Sequence, residues 1–175
     1  MRGRILLYHH IAEAPTKEAA KTTLFVHPEH FAFQMALLKR LFAVLPLDEF
    51  VARLRSRRLP PKAIALTFDD GTVDFVENAL PALVGECLPA TLFVVAGKWR
   101  PVRWFAYPFG ETSEAMQAKV QEAGYEAAFT TQRGWATSAN SLWALPRLAV
   151  PYWVGRVGFL LWLHFAPNWR RRKRR

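Results

Sequence analysis

The sequence predicts an α/β protein with a parallel sheet, open or closed into a barrel, and three observations carry that prediction. Short apolar runs such as Ile5-Leu6-Leu7-Tyr8 and Ala63-Ile64-Ala65-Leu66-Thr67-Phe68 read as buried strands. Segments of helical period alternate with them, the pattern of strand–helix–strand crossovers. A chain of 175 residues, 51% hydrophobic and 22% charged, also fits one compact domain that needs no disulfide framework. The single cysteine, Cys87, agrees, and its apolar neighbours predict a small buried hydrophobe rather than a nucleophile.

Taken in order, residues 5–8 form the first strand and are followed by polar residues without a clear period up to Thr23. From Pro28, apolar residues recur at Phe31, Met35, Leu38 and Leu41. That is the spacing of a helix whose first turn admits proline and whose last turn carries Lys39 and Arg40. His27 and His30 stand at its entrance and are read as structural. Residues 44–47 are a second apolar run, and Leu47-Asp48-Glu49 opens a helical pattern through Phe50, Val51 and Leu54 that ends before Pro60-Pro61. The strand at residues 63–68 runs straight into Asp69-Asp70-Gly71, and the helix expected over residues 73–84 contains Pro81, which predicts a kink. Residues 90–95 and 104–107 are further strands, the latter closed by Pro108-Phe109-Gly110. Thr112-Ser113-Glu114 opens a helix that Gly124 ends, and residues 127–131 give one more strand.

The net charge of +10 is a property of one end. Residues 127–175 hold no acid and nine of the 24 Lys and Arg, so the other 15 almost balance the 14 acids. Such a run marks a solvated arm or an electrostatic contact with an anionic surface and says little about the folded part. At the other end, Arg2 and Arg4 are followed only by four apolar residues before His9 and His10, which predicts no secretory signal. The expected location is cytoplasmic, peripheral at the inner face of the membrane. The apolar stretch at residues 157–167 is well short of the ~20 residues a spanning helix needs.

Two features carry chemistry. In Leu66-Thr67-Phe68-Asp69-Asp70-Gly71, two adjacent carboxylates end an apolar strand, and a divalent cation or a role in proton transfer explains keeping both; a turn that caps the next helix is the alternative. In Phe105-Ala106-Tyr107-Pro108-Phe109-Gly110, an aromatic strand end is turned by proline and glycine, which is expected to set Tyr107 and Phe109 over a shallow cleft.

These two, with Tyr8-His9-His10 before them, Pro89-Ala90-Thr91-Leu92-Phe93-Val94 between them, and Gly124-Tyr125-Glu126-Ala127-Ala128-Phe129-Thr130 and Leu145-Pro146-Arg147 after them, resemble the polysaccharide deacetylase family, the NodB-homology domain of carbohydrate esterase family four. The resemblance covers residues 4 to about 150. It implies a distorted (β/α) barrel and metal-dependent hydrolysis of N-acetyl groups on a polysaccharide containing N-acetylglucosamine. On matching positions it makes Asp69 the general base, Asp70 a ligand of a divalent metal, commonly zinc, and the backbone N–H of Phe109 a holder of the oxyanion. Tyr107, Pro108, Phe109 and Gly110 would then touch substrate.

This sequence departs from the family in one respect above all. The family's His-x-x-x-His metal pair lies between the Thr-Leu-Phe-Val strand and the Tyr-Pro-Phe-Gly turn, and here residues 96–103 contain no histidine. The expected barrel is therefore shortened by about one strand–helix unit. His9 and His10 are the substitute ligands to consider, the alternative being a hydrogen-bonded histidine lining the cleft. His164, in Leu161-Trp162-Leu163-His164, is similar to the family's Leu-x-x-His, whose histidine acts as general acid. A catalytically inactive relative that binds glycan or a partner is the second reading.

The division expected is a deacetylase-like domain at residues 1–150, an aromatic amphipathic helix at 151–169 and a basic tail at 170–175. Trp153, Trp162 and Trp169, with Arg170, Arg171, Arg172, Lys173, Arg174 and Arg175, read as an interfacial segment for an anionic membrane surface. Packing on the barrel is the alternative, and confinement of the charge to a tail argues against nucleic acid as partner.

Overall fold

The computed structural model describes residues 1–94, 103–155 and 158–168. Strand β1 (Arg2–Tyr8) lies in the middle of a mostly parallel sheet. One neighbour is β5 (Ala63–Asp69), in register from Arg4 opposite Ile64 to Tyr8 opposite Phe68. The other is β10 (Leu148–Ala149), and β9 (Ala136–Thr137) adds an antiparallel pair at the start of β1. The far side of β5 is shared, its first residues pairing with β4 (Ala43–Val44) and its last with β6 (Thr91–Phe93). β2 (His10–Ile11) pairs β3 (Phe25–Val26), and β7 (Trp104–Ala106) pairs β8 (Ala127–Phe129). The α/β class and parallel sheet are as the sequence predicts. Among the described residues no ladder joins β6 to β7; the connection expected to be shortened, residues 96–103, lies outside the described residues except for Arg103.

Period-two alternation sorts the strands into two faces. Leu6, Tyr8, Ile64, Leu66 and Phe68 face one core with Phe31, Met35 and Leu38 of α1 (Pro28–Leu41) and Leu83 of α3 (Leu80–Gly85). Ile5, Ala63 and Ala65 face a second core with Leu47, Phe50, Val51 and Leu54 of α2 (Leu47–Arg55), Phe129 and Leu145. Phe50 lies against Gly3 at the start of that face, where a Cβ would approach its ring to 2.6 Å. Leu7 and Thr67 beyond it are also fully buried, and the site forms at the residues that follow, His9, Asp69 and Asp70.

Local chemistry explains the helix ends. His27 caps α1 by accepting the Glu29 N–H through Nδ1 at 3.3 Å, in keeping with a structural role. Ser113 accepts from Met116 N–H at the start of α4 (Glu114–Glu122), which Gly124 ends at φ +86°. The kink expected at Pro81 is taken up before the proline: residues Phe75–Ala79 wind as a π turn in which Leu80 N–H donates to Phe75 O. Proline has no N–H and its ring crowds the preceding turn, and a widened turn accommodates both.

Two expectations are corrected. Cys87 is exposed, not buried. It occupies the left-handed position after α3, at φ +52°, where the chain turns so that Leu88 rather than Cys87 enters the core. Within residues 151–169 the helix is α5 (Phe159–Phe165), and Trp162 on it is buried against Phe159, not presented at an interface. Trp99, Trp169 and the basic run at 170–175 lie outside the described residues.

Candidate functional site

The carboxyl ends of the strands border one large cleft of about 1770 Å³, whose lining includes His9, Asp69, Asp70, Phe93, Trp104, Tyr107 and Phe109. Parity decides which residues reach it. His9 and Asp69 are in phase with the fully buried Leu7 and Thr67, on the face opposite Tyr8 and Phe68. His10, one residue on, is turned to the helical side, where its Nδ1 lies 3.0 Å from Asp74 Oδ1 and its ring stacks on Phe25. His10 thus does not join Asp70, and a metal-ligand role for it is withdrawn. Asp74 accepts the Ile11 N–H at 2.6 Å through its other oxygen. Burial pushes the Asp74 carboxyl up, but the hydrogen bonds to His10 and the Ile11 N–H outweigh it and hold the group below its ordinary value.

Asp69 is gripped from both oxygens. Arg147, fully buried, donates from Nη1 to Oδ1 at 2.6 Å and from Nη2 to Oδ2 at 2.8 Å. Its Nε donates to Thr130 O at 3.1 Å, which fixes the plane of the fork. The sequence pointed to Arg147 only as part of Leu145-Pro146-Arg147. The signal for its partner was an arginine inside the apolar run Trp143 to Val150, a charge whose burial is costly without a carboxylate or other acceptors to pair it. Asp69 is also among the residues that line the cleft, and each of its oxygens has further acceptor capacity.

Asp70 lines the same cleft and is exposed, at φ +73°; Gly71 follows at φ +68°. A left-handed aspartate ends the strand, so the alternation that would send Asp70 to the helical side stops at Asp69. Burial holds the His9 imidazole below its ordinary basicity, with Asp69 and Asp70 pulling the other way. Its Nδ1 is buried with no hydrogen-bond partner among the described residues.

The Pro108–Gly110 turn separates the two aromatics expected to stand together. Tyr107 is buried, its hydroxyl donating to Trp143 O at 2.9 Å, so it supports the turn. Phe109 is 94% exposed at φ +58°. Gly110, at φ +72°, has no room for a side chain: a Cβ would overlap the backbone nitrogen and Oγ1 of Thr131. A bare aromatic ring held in a disfavoured backbone conformation is what a binding surface retains and a folding core does not. His164 is exposed on α5 with its ring against Phe165, and it is not among the residues lining the cleft. A general-acid role has no geometric basis there.

A catalytic zinc takes at least three protein ligands. Among the described residues no three His, Cys, Asp or Glu side chains converge, and the remaining residues, 95–102, 156–157 and 169–175, contain none of these types. Asp70 and His9 are two donors on the cleft wall, and the set does not fit a three-ligand zinc.

A polysaccharide deacetylase family model matches residues 56–101, which include Asp69 and Asp70. No curated protein matches the chain in sequence. Among solved structures, the chain is similar to the deacetylase PplD of Streptococcus pyogenes in complex with acetate, with a TM-score of 0.81 at 22% identity over 92% of this chain and 97% of that one. It is also similar to IcaB of Ammonifex degensii, with a TM-score of 0.73 at 19% identity over 92% and 96%. A polysaccharide deacetylase of Bacillus cereus gives a TM-score of 0.72 at 18% identity over 92% and 68%.

Proposed function

We propose that this chain, which has the fold of polysaccharide deacetylases, takes an N-acetylated polysaccharide of the N-acetylglucosamine class in its cleft and acts as a deacetylase-like saccharide-binding protein. The observation that carries this reading is Phe109, an exposed ring on a cleft also lined by Asp69, which the buried Arg147 holds from behind. An aromatic face buries the C–H face of a sugar ring, and the carboxylate accepts hydrogen bonds from sugar hydroxyl or acetamide N–H groups. The N–H of Phe109 is the donor assigned to the acetamide carbonyl.

Hydrolysis of the acetamide is a second reading, and the buried, unpartnered Nδ1 of His9 beside the two aspartates favours it. That reading assigns Asp69 as general base and Asp70 and His9 to a divalent metal, for which the described residues supply no third ligand.

Calorimetric titration of the full chain with N-acetylated and fully deacetylated chito-oligosaccharides separates the two. Binding that prefers the acetylated form, survives chelator and is lost in Phe109→Ala is the expected result. Stoichiometric zinc binding lost in Asp70→Ala, accompanied by release of acetate, would replace it with the hydrolase. Absence of saccharide binding would overturn both.

A further inference from the structure

We infer that the outer face of α5, with the basic segment that follows it, docks this protein on an anionic lipid bilayer. The inference does not depend on what the cleft binds. α5 has two apolar faces, and the fold uses one of them. Phe159, Trp162 and Leu163 are buried, Phe159 and Trp162 stacked with ring centroids 6.0 Å apart. The near-buried Arg4 donates from Nε to Leu163 O at 2.9 Å, which pins the helix to β1. The opposite face carries Leu160, Leu161 and Phe165, exposed by 42%, 62% and 56%. Leu161 and Phe165 are four residues apart and stand one above the other. The helix is anchored without them, so their exposure is not a requirement of folding.

Charge names the occupant. α5 is followed by the short turn at Ala166–Asn168, and in the sequence Trp169 and six consecutive cations come next, with no acid anywhere after Glu126. Trp135 Nε1 donates to Asn168 Oδ1 at 3.3 Å, and the Arg2 guanidinium lies 4.1 Å over the same indole, so another cation sits where the chain passes into that run. Aliphatic and aromatic residues flanked by cations suit the boundary between lipid headgroups and acyl chains, where the rings enter the interface and the arginines meet anionic headgroups. A nucleic acid would satisfy the cations and leave Leu160, Leu161 and Phe165 in water. No described helix is long and apolar enough to cross a membrane, so the contact is peripheral.

The test is sedimentation of the full chain with sucrose-loaded vesicles of phosphatidylcholine alone or with one third phosphatidylglycerol. The expected result is binding to the anionic vesicles only, weakened by salt. Binding should fall about tenfold or more in Leu161→Ser/Phe165→Ser and reach the neutral-vesicle level when residues 170–175 are all replaced by serine. Unchanged melting temperatures in both variants would exclude unfolding as the cause; should the α5 variant melt lower, the serine tail and the salt series decide. Equal binding to neutral vesicles would overturn the inference, as would full binding by a stably folded α5 variant, or binding of duplex DNA with none to vesicles.

Discussion

Arg147 and Asp69 are separated by 78 positions in the chain and meet in the structure through two hydrogen bonds. Arg147 is entirely buried, so removing its partner strands a charge. Asp69→Ala is expected to destabilise the protein by about 3 kcal/mol and lower the melting temperature by roughly 10 °C, measured by calorimetry. An unchanged melting temperature would mean that the pair is not formed in solution. Phe109 behaves in the opposite way. Its ring touches little and its backbone is left-handed, so Phe109→Gly should leave the melting temperature unchanged or raise it by the equivalent of about 1 kcal/mol while weakening saccharide binding. A lower melting temperature would show the ring to be structural. Asp74 adds a pH dependence. Its folded value lies below the ordinary 3.8, so its contribution is fully present above that pH and is lost as pH falls through the folded value. The stability difference between the wild type and Asp74→Ala, followed by urea unfolding, should be constant near neutrality and shrink in acid.

At the scale of elements, the site is made by the ends of strands rather than by their middles. The parallel ladder of β1 and β5 puts His9 and Asp69 on one face, and a left-handed residue after β5 brings Asp70 to the same side. The turn after β7 faces them and depends on one glycine. Gly110→Ala should cost about 2 kcal/mol or more, because its Cβ meets the backbone of Thr131 and not a flexible side-chain end. Saccharide binding should fall with it, and retention of both stability and binding would show the turn to be adaptable. These elements were legible because proline, glycine and paired aspartates act locally. The helix over residues 73–84 was legible too, although its π turn was not, since how a helix absorbs Pro81 depends on what packs on either side.

At the scale of the molecule, the six-stranded sheet carries a core on each face, and both cores share β1 and β5. Shared strands couple the two, so thermal unfolding is expected as one transition with equal calorimetric and van't Hoff enthalpies. A broad or split transition would instead fit a barrel that has lost a strand–helix unit without rejoining its edges. Of the histidines the sequence offered for the site, the assembled fold keeps His9 and sends His10 and His164 elsewhere.

The sequence by itself determined the alternation of strands and helices and the sharp turns at Asp69-Asp70-Gly71 and Pro108-Phe109-Gly110. These follow from periodicity and backbone preference, which act over a few residues. Tertiary structure alone decided that Arg147 closes on Asp69, that Cys87 faces solvent, that Trp162 is buried and that one imidazole reaches the aspartates. Each of those depends on strand order and on how helices lie against the sheet, and burial of an apolar or charged group is settled only by what the rest of the chain places opposite it.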